Sequence, residues 1–146
     1  MKAWRGTVRV GAGLAASVAS FTSFALLASL AATAFAACPA PPAGASVMAD
    51  GPVQAAWHAE AGAIAVGRPF AIIVLLCPAD AQLLRVDASM PEHRHGMNYR
   101  TSLKPLGDGR WRVEGLLWHM SGRWELRLDL QSQGLEHRLR QSVLLQ

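Results

Sequence analysis

From Gly122 onward the chain alternates strictly, with Trp124, Leu126, Leu128 and Leu130 on one face and Arg123, Glu125, Arg127 and Asp129 on the other. A period of two with one apolar face predicts a half-buried antiparallel strand. Leu84, Val86, Ala88 and Met90 alternate with Arg85, Asp87 and Ser89 in the same way. Residues 70–77 are apolar at every position, which predicts a central strand covered on both faces, and Gly67-Arg-Pro marks its start. Tyr99, Thr101 and Leu103 are placed to pair with Trp111, Val113 and Leu117 across Gly107-Asp-Gly109, whose Asp-Gly supplies the positive φ of a tight hairpin. A further hairpin turns at Ser132-Gln-Gly134 into residues 135–145. With residues 53–58 and a short piece near Ile64, the count is seven or eight short strands and no helix. The expected fold is all-β, an immunoglobulin-like antiparallel β-sandwich. Two-faced alternation fits two packed sheets better than a closed barrel.

The first 36 residues do not follow this pattern. Lys2, Arg5 and Arg9 precede an apolar run, about residues 14–35, that ends in Ala34-Phe35-Ala36. This predicts a secretory signal peptide, residues 1–36, removed after Ala36. Residues 37–51, rich in Pro, Ala and Gly, are expected to form an extended leader. Residues 52–146 then form the sandwich, and no second stretch is long enough to span a bilayer. The expected location is the periplasm. The alternatives are a lipid anchor on Cys38, since Phe35-Ala-Ala-Cys38 loosely imitates a lipobox, or a tether through an uncleaved signal.

Export changes how charge is read. Removing Lys2, Arg5 and Arg9 from the 14 Lys and Arg leaves 11 basic residues against 10 Asp and Glu, so the mature domain is nearly neutral. Nothing in that balance argues for a nucleic-acid partner. Two cysteines remain, Cys38 and Cys77, in a compartment where disulfides persist, and they are expected to bond to each other. Lipidation of Cys38, leaving Cys77 as an unpaired thiol, is the competing expectation.

Candidate chemistry concentrates in Met90-Pro-Glu-His-Arg-His-Gly-Met97, with His119-Met120 further on. Imidazole and thioether together suit a soft metal, and Cu(I) accepts thioether ligands that Zn, Mg and Ca sites rarely use. Pro91 ends one strand and Gly96 permits a sharp bend, so these residues are expected on a loop at a sheet end. His93 and His95 share a side in extended chain. A meander through the 99–117 hairpin would return His119 to the same end, with Trp118 as a dry wall. The candidate ligands are His93, His95, Met97 and His119, with Met90 and Met120 as alternates. Met90 also continues the core face of its strand, so packing competes with ligation there. Arg94 and Arg123 disfavour a cation, and Glu92 and Asp87 are placed to neutralise them. His58 and His137 are expected to be solvated or hydrogen-bonded, and Trp57, Trp111 and Trp124 to be core.

Other chemistry lacks its residues. The chain has no Gly-rich phosphate loop, no Gly-x-Ser-x-Gly elbow, no His-Glu-x-x-His and no Cys-x-x-Cys. Asp87 and Glu92 flank the histidines without a nucleophile, so no catalytic triad is assigned and no enzymatic activity is expected.

The run from Val86 through Met-Pro-Glu-His-Arg-His-Gly-Met97 to Tyr99, followed by Gly107-Asp-Gly109 and by Gly115-Leu-Leu-Trp-His-Met-Ser-Gly-Arg-Trp-Glu-Leu126, resembles the YtkA-like domain, related to FixH-type domains. The resemblance covers residues 66–145. It implies an exported immunoglobulin-like sandwich with links to copper handling or to the maturation of respiratory and cytochrome-type redox proteins. Ser121 stands where the His-Met-Pro-Gly form of the motif has proline. Two other copper-chaperone patterns fit less well. Met97 and His119 show the Met-x21-His spacing of the PCuAC type, but no histidine lies eleven residues before Met97, and cleavage would expose Ala37 rather than the N-terminal histidine of a CopC-like protein.

Two expectations follow. The first is a non-enzymatic periplasmic sandwich that binds or delivers copper, as Cu(I), through the His/Met loop cluster. The second is a metal-free interaction module whose loop docks on a periplasmic redox partner.

Overall fold

The computed structural model describes residues 38–146. The expected signal peptide, and Ala37 of the leader, therefore lie outside the described residues. Nine strands form, namely β1 (Ser46–Asp50), β2 (Val53–Ala59), β3 (Pro69–Cys77), β4 (Gln82–Met90), β5 (His95–Gly96), β6 (Ser102–Gly107), β7 (Arg110–Leu117), β8 (Gly122–Ser132) and β9 (Leu135–Leu145). A single 3-10 turn, Pro91–His93, separates β4 from β5. The strands make two sheets, ordered β1-β2-β3-β7-β6 and β5-β4-β8-β9, with every pairing antiparallel. Setting aside the edge strands β1 and β5, the order β2-β3-β7-β6 against β4-β8-β9 is the A-B-E-D and C-F-G arrangement of a constant-type immunoglobulin domain. The expected β-sandwich is the observed one.

The core sits between the sheets and follows the alternation. Trp124, Leu126, Leu128 and Leu130 of β8 are fully buried, as are Ile72, Val74 and Leu76 of β3. Each such side chain contributes about 1.5–3 kcal/mol relative to exposure. Ile73 and Leu75, on the outer face of β3, remain half-buried, as suits the central strand of its sheet.

Four local expectations are corrected. The leader contains a strand: β1 pairs with β2 along its length and buries Met48 in the core. The Pro-rich composition of residues 37–51 obscured it. The piece near Ile64 is not a strand but part of the β2–β3 connection, with Ile64 packed against the core. In β4 a register shift between Leu83 and Arg85 turns Leu83 inward and leaves Leu84 47% exposed. One extra residue reverses which neighbour faces the core. Finally, β6 starts at Ser102, so Tyr99 is outside it and 60% exposed, and the pairs across the turn are Leu103 with Val113 and Pro105 with Trp111. Leu117 pairs with Pro69 of β3 instead.

The Gly107-Asp108-Gly109 turn has positive φ at all three residues. Gly109 also packs tightly, since a Cβ there would lie 2.8 Å from the Leu76 carbonyl oxygen. Cys38 and Cys77 are disulfide-bonded with Cα atoms 5.4 Å apart, and no free cysteine remains among the described residues. The bond ties the leader to the end of β3. Among the described residues no helix is long and apolar enough to cross a membrane.

Candidate metal centre

The site begins where β4 ends. Met90 is buried in the core, and Pro91, having no N–H to continue a ladder, opens the 3-10 turn. Arg94 takes φ 55°, a left-handed conformation that reverses the chain. The return segment β5 pairs back on β4, Gly96 with Ser89 and His95 with Met90, and the Met97 N–H donates to the Ala88 carbonyl at 3.0 Å. Directly opposed residues of an antiparallel pair share a face. His95 therefore sits on the face that Met90 turns toward the core, and it is half-buried, whereas His93 on the 3-10 turn is exposed.

The second arm is the passage from one sheet to the other. β7 ends at Leu117, the Gly67 N–H holds the Trp118 carbonyl at 2.8 Å, and β8 starts at Gly122. β8 then pairs with β4, Glu125 opposite Ser89. This pairing places His119 beside His95. The β6–β7 hairpin returns the chain to this end as expected, but it belongs to the other sheet, so His119 lies on a crossing between sheets rather than within a meander.

The ring centres of His95 and His119 are 5.0 Å apart and those of His93 and His95 are 5.9 Å apart. Two imidazoles that bind one ion through a metal–nitrogen bond near 2.0 Å have ring centres about 3.2 Å from it. A separation of 5.0 Å then corresponds to a ligand angle of about 100°, close to tetrahedral. The separation of His95 and His119 is thus compatible with a shared ion.

The methionines divide. Met97 is half-buried and packs against the core beside the loop. Met120 is 39% exposed next to His119. Met90 is 1% exposed and its methyl presses on Gly122, where a Cβ would stand 2.8 Å from Met90 Cε. Its packing role is the one its strand position predicts.

Behind the rings stands Trp124. Its ring centre is 6.1 Å from that of His95 and 5.5 Å from that of His119, both in edge-to-face arrangement. Trp118, expected as the wall, lies one layer deeper, stacked on Trp124 at 5.6 Å with 7° between planes and edge-on to Phe70 at 5.1 Å. Trp124 was legible in the sequence only as core. The signal for its second role is its place two residues into β8, directly after the crossing that carries His119.

Charge around the cluster is partly neutralised. Arg123 Nε lies 3.8 Å from Glu92 Oε1. Asp87, expected to serve the same purpose, is instead engaged by Arg85 at 2.6 Å and by Arg127 at 3.4 Å. Arg94 makes no ion pair among the described residues. Away from the cluster, His58 Nδ1 donates to the Ala59 carbonyl at 3.0 Å, and His137 Nδ1 lies 3.3 Å from Asp50 Oδ2.

Among the described residues no three His, Cys, Asp or Glu side chains gather into a group able to hold a metal ion. Met97, two residues after His95, and Met120, next to His119, are the thioethers nearest this pair in the sequence. Imidazole and thioether groups are neutral donors, and thioethers are soft. No family model, curated protein or solved structure matches the chain.

Proposed function

We propose that the protein is an exported, non-enzymatic β-sandwich that binds Cu(I) and holds it or passes it to a redox partner in the periplasm. His95 and His119 are the central ligands, with a thioether from Met97 or Met120. His93, exposed on the rim, is suited to accept or release the ion during transfer. The observation that carries this reading is the 5.0 Å approach of the His95 and His119 rings. The charge of the site supports the same ion, because neutral donors beside Arg94 and Arg123 offset one positive charge less poorly than two. The Cys38–Cys77 disulfide and the apolar N-terminal run support export, and the likeness to YtkA-like domains belongs to the same proposal.

A second reading is favoured by a separate observation. An open groove of about 520 Å³ runs beside the loop, lined by Leu84, Arg85, Met97, Tyr99, Arg100 and Leu103 among others. Exposed Tyr and Arg residues are common in interface hot spots. In this reading the loop docks on a redox protein without metal.

Titration of the disulfide-intact protein with Cu(I) against a chromogenic chelator separates the two. The copper reading expects one equivalent to be withdrawn from the chelator by the wild type and much less by His95→Ala and His119→Ala. If the wild type and both variants compete equally badly, the metal-free docking module is the surviving account.

A further inference from the structure

Trp124 is fully buried, yet it is the core residue that meets both paired histidines. Its orientation is fixed on two sides. The indole N–H donates to the Met120 carbonyl at 3.0 Å, and one face stacks on Trp118. An indole has a single donor and no acceptor, so with the N–H engaged only its π system remains to interact with an ion.

Resting on the copper reading above, we propose that Trp124 is a specificity-determining residue, whose ring helps to hold a soft monovalent cation against His95 and His119 and so favours it over divalent ions. An ion bonded to both imidazoles on the indole side lies within the roughly 6 Å over which an aromatic ring attracts a cation. The same wall offers a divalent ion no ligand of its own. Zn(II) normally completes four-coordination with water, a thiolate or a carboxylate. The Trp118–Trp124 stack offers none of these, and no three His, Cys, Asp or Glu gather here among the described residues, so a divalent ion would have to draw its remaining ligands from the solvent side, where His93 and His119 are exposed. A two- or three-coordinate Cu(I) or Ag(I) loses nothing by their absence. The hydrogen bond to Met120 adds a link, since the residue that orients the indole is also a candidate thioether donor.

The test uses Ag(I), which resists oxidation, and Zn(II), each titrated into the disulfide-intact protein while indole absorption and emission are followed. Variants are Trp124→Phe, Trp124→Leu and Trp118→Phe. The last keeps an aromatic ring in the stack and removes an indole N–H that has no hydrogen-bond partner. The wild type is expected to show a red-shifted indole absorption and quenched emission that saturate at one equivalent of Ag(I). Trp124→Phe should lose the absorption signature and Trp118→Phe should keep it. The preference for Ag(I) over Zn(II) should fall about tenfold in Trp124→Leu, the size of a desolvated cation–π contact, and less in Trp124→Phe. Should Trp124→Leu fail to fold, the spectra of the two Phe variants decide alone. Ag(I) binding with the same preference and the same spectrum in folded Trp124→Phe as in the wild type overturns the role of Trp124 and leaves the copper site standing. Failure of the wild type to bind either Ag(I) or Cu(I) overturns the copper reading, and this inference with it.

Discussion

The imidazole rings of His95 and His119 stand 5.0 Å apart although they lie on different loops and, in the strand order, on the edge strand β5 and on the crossing between the two sheets. Nothing local to either histidine produces this approach. It follows from β8 pairing with β4, which carries the crossing to the end of the sandwich where β4 turns into β5.

Because His95 is half-buried against Trp124 and His93 is exposed on the 3-10 turn, the three histidines are expected to contribute unequally. His95→Ala and His119→Ala should each weaken Cu(I) binding at least about tenfold, about 1.4 kcal/mol, and His93→Ala no more than about threefold. His58→Ala and His137→Ala should leave it unchanged. Chelator competition across the five variants checks the order.

Gly122 combines φ 122° with a Met90 methyl that would lie 2.8 Å from an added Cβ. Gly122→Ala should destabilise the fold by about 1–3 kcal/mol through overpacking and backbone strain. Gly134→Ala, at φ 78° in a turn with open space around it, meets the strain alone and should cost less. Urea unfolding midpoints at a common m-value compare the two.

The disulfide closes a loop of 39 residues. Reduction, or Cys38→Ser with Cys77→Ser, should lower stability by about 4 kcal/mol on the chain-entropy account. The reduced and oxidised forms should give the same near-ultraviolet spectrum below the transition and different urea midpoints. Equal midpoints would show that the bond constrains nothing that matters to folding.

Glu60, after β2, receives two 2.7 Å hydrogen bonds from the Arg112 guanidinium on β7, and these hold its carboxyl below the usual range despite some desolvation. A carboxyl depressed in the folded state contributes stability that is complete above its unfolded pKa, about 4.3, and is lost as pH falls through the lower folded value. Glu60→Gln should therefore lower the urea midpoint slightly at pH 7 and flatten the acid side of the stability profile. The pair is exposed, so the effect is small.

Much of this was legible because alternation is a direct record of burial in a sandwich. Residues 124–130 mark a strand and its buried face, and residues 70–77 a central strand. What failed had specific causes. The β4 bulge at Leu83–Arg85 breaks the period by one residue, and no residue type marks it. β1 hides in a Pro- and Ala-rich leader because a short edge strand needs only one buried side chain, Met48. At the site, the hairpin that returns His119 toward His95 is legible, but the crossing to the second sheet and the pairing of β8 with β4 are long-range properties that periodicity does not encode. Trp124 was assigned to the core by the same alternation that placed it against the histidines, and a burial pattern alone does not say what lies on the other side of a buried ring.

X-ray absorption at the copper edge of the Cu(I)-loaded, disulfide-intact protein tests the central claim most directly. A first shell of two nitrogen donors with imidazole multiple scattering and at least one sulfur, losing one nitrogen in His95→Ala, is the predicted result. Copper that passes unbound through gel filtration, or a shell without sulfur that His95→Ala and His119→Ala leave unchanged, would contradict it.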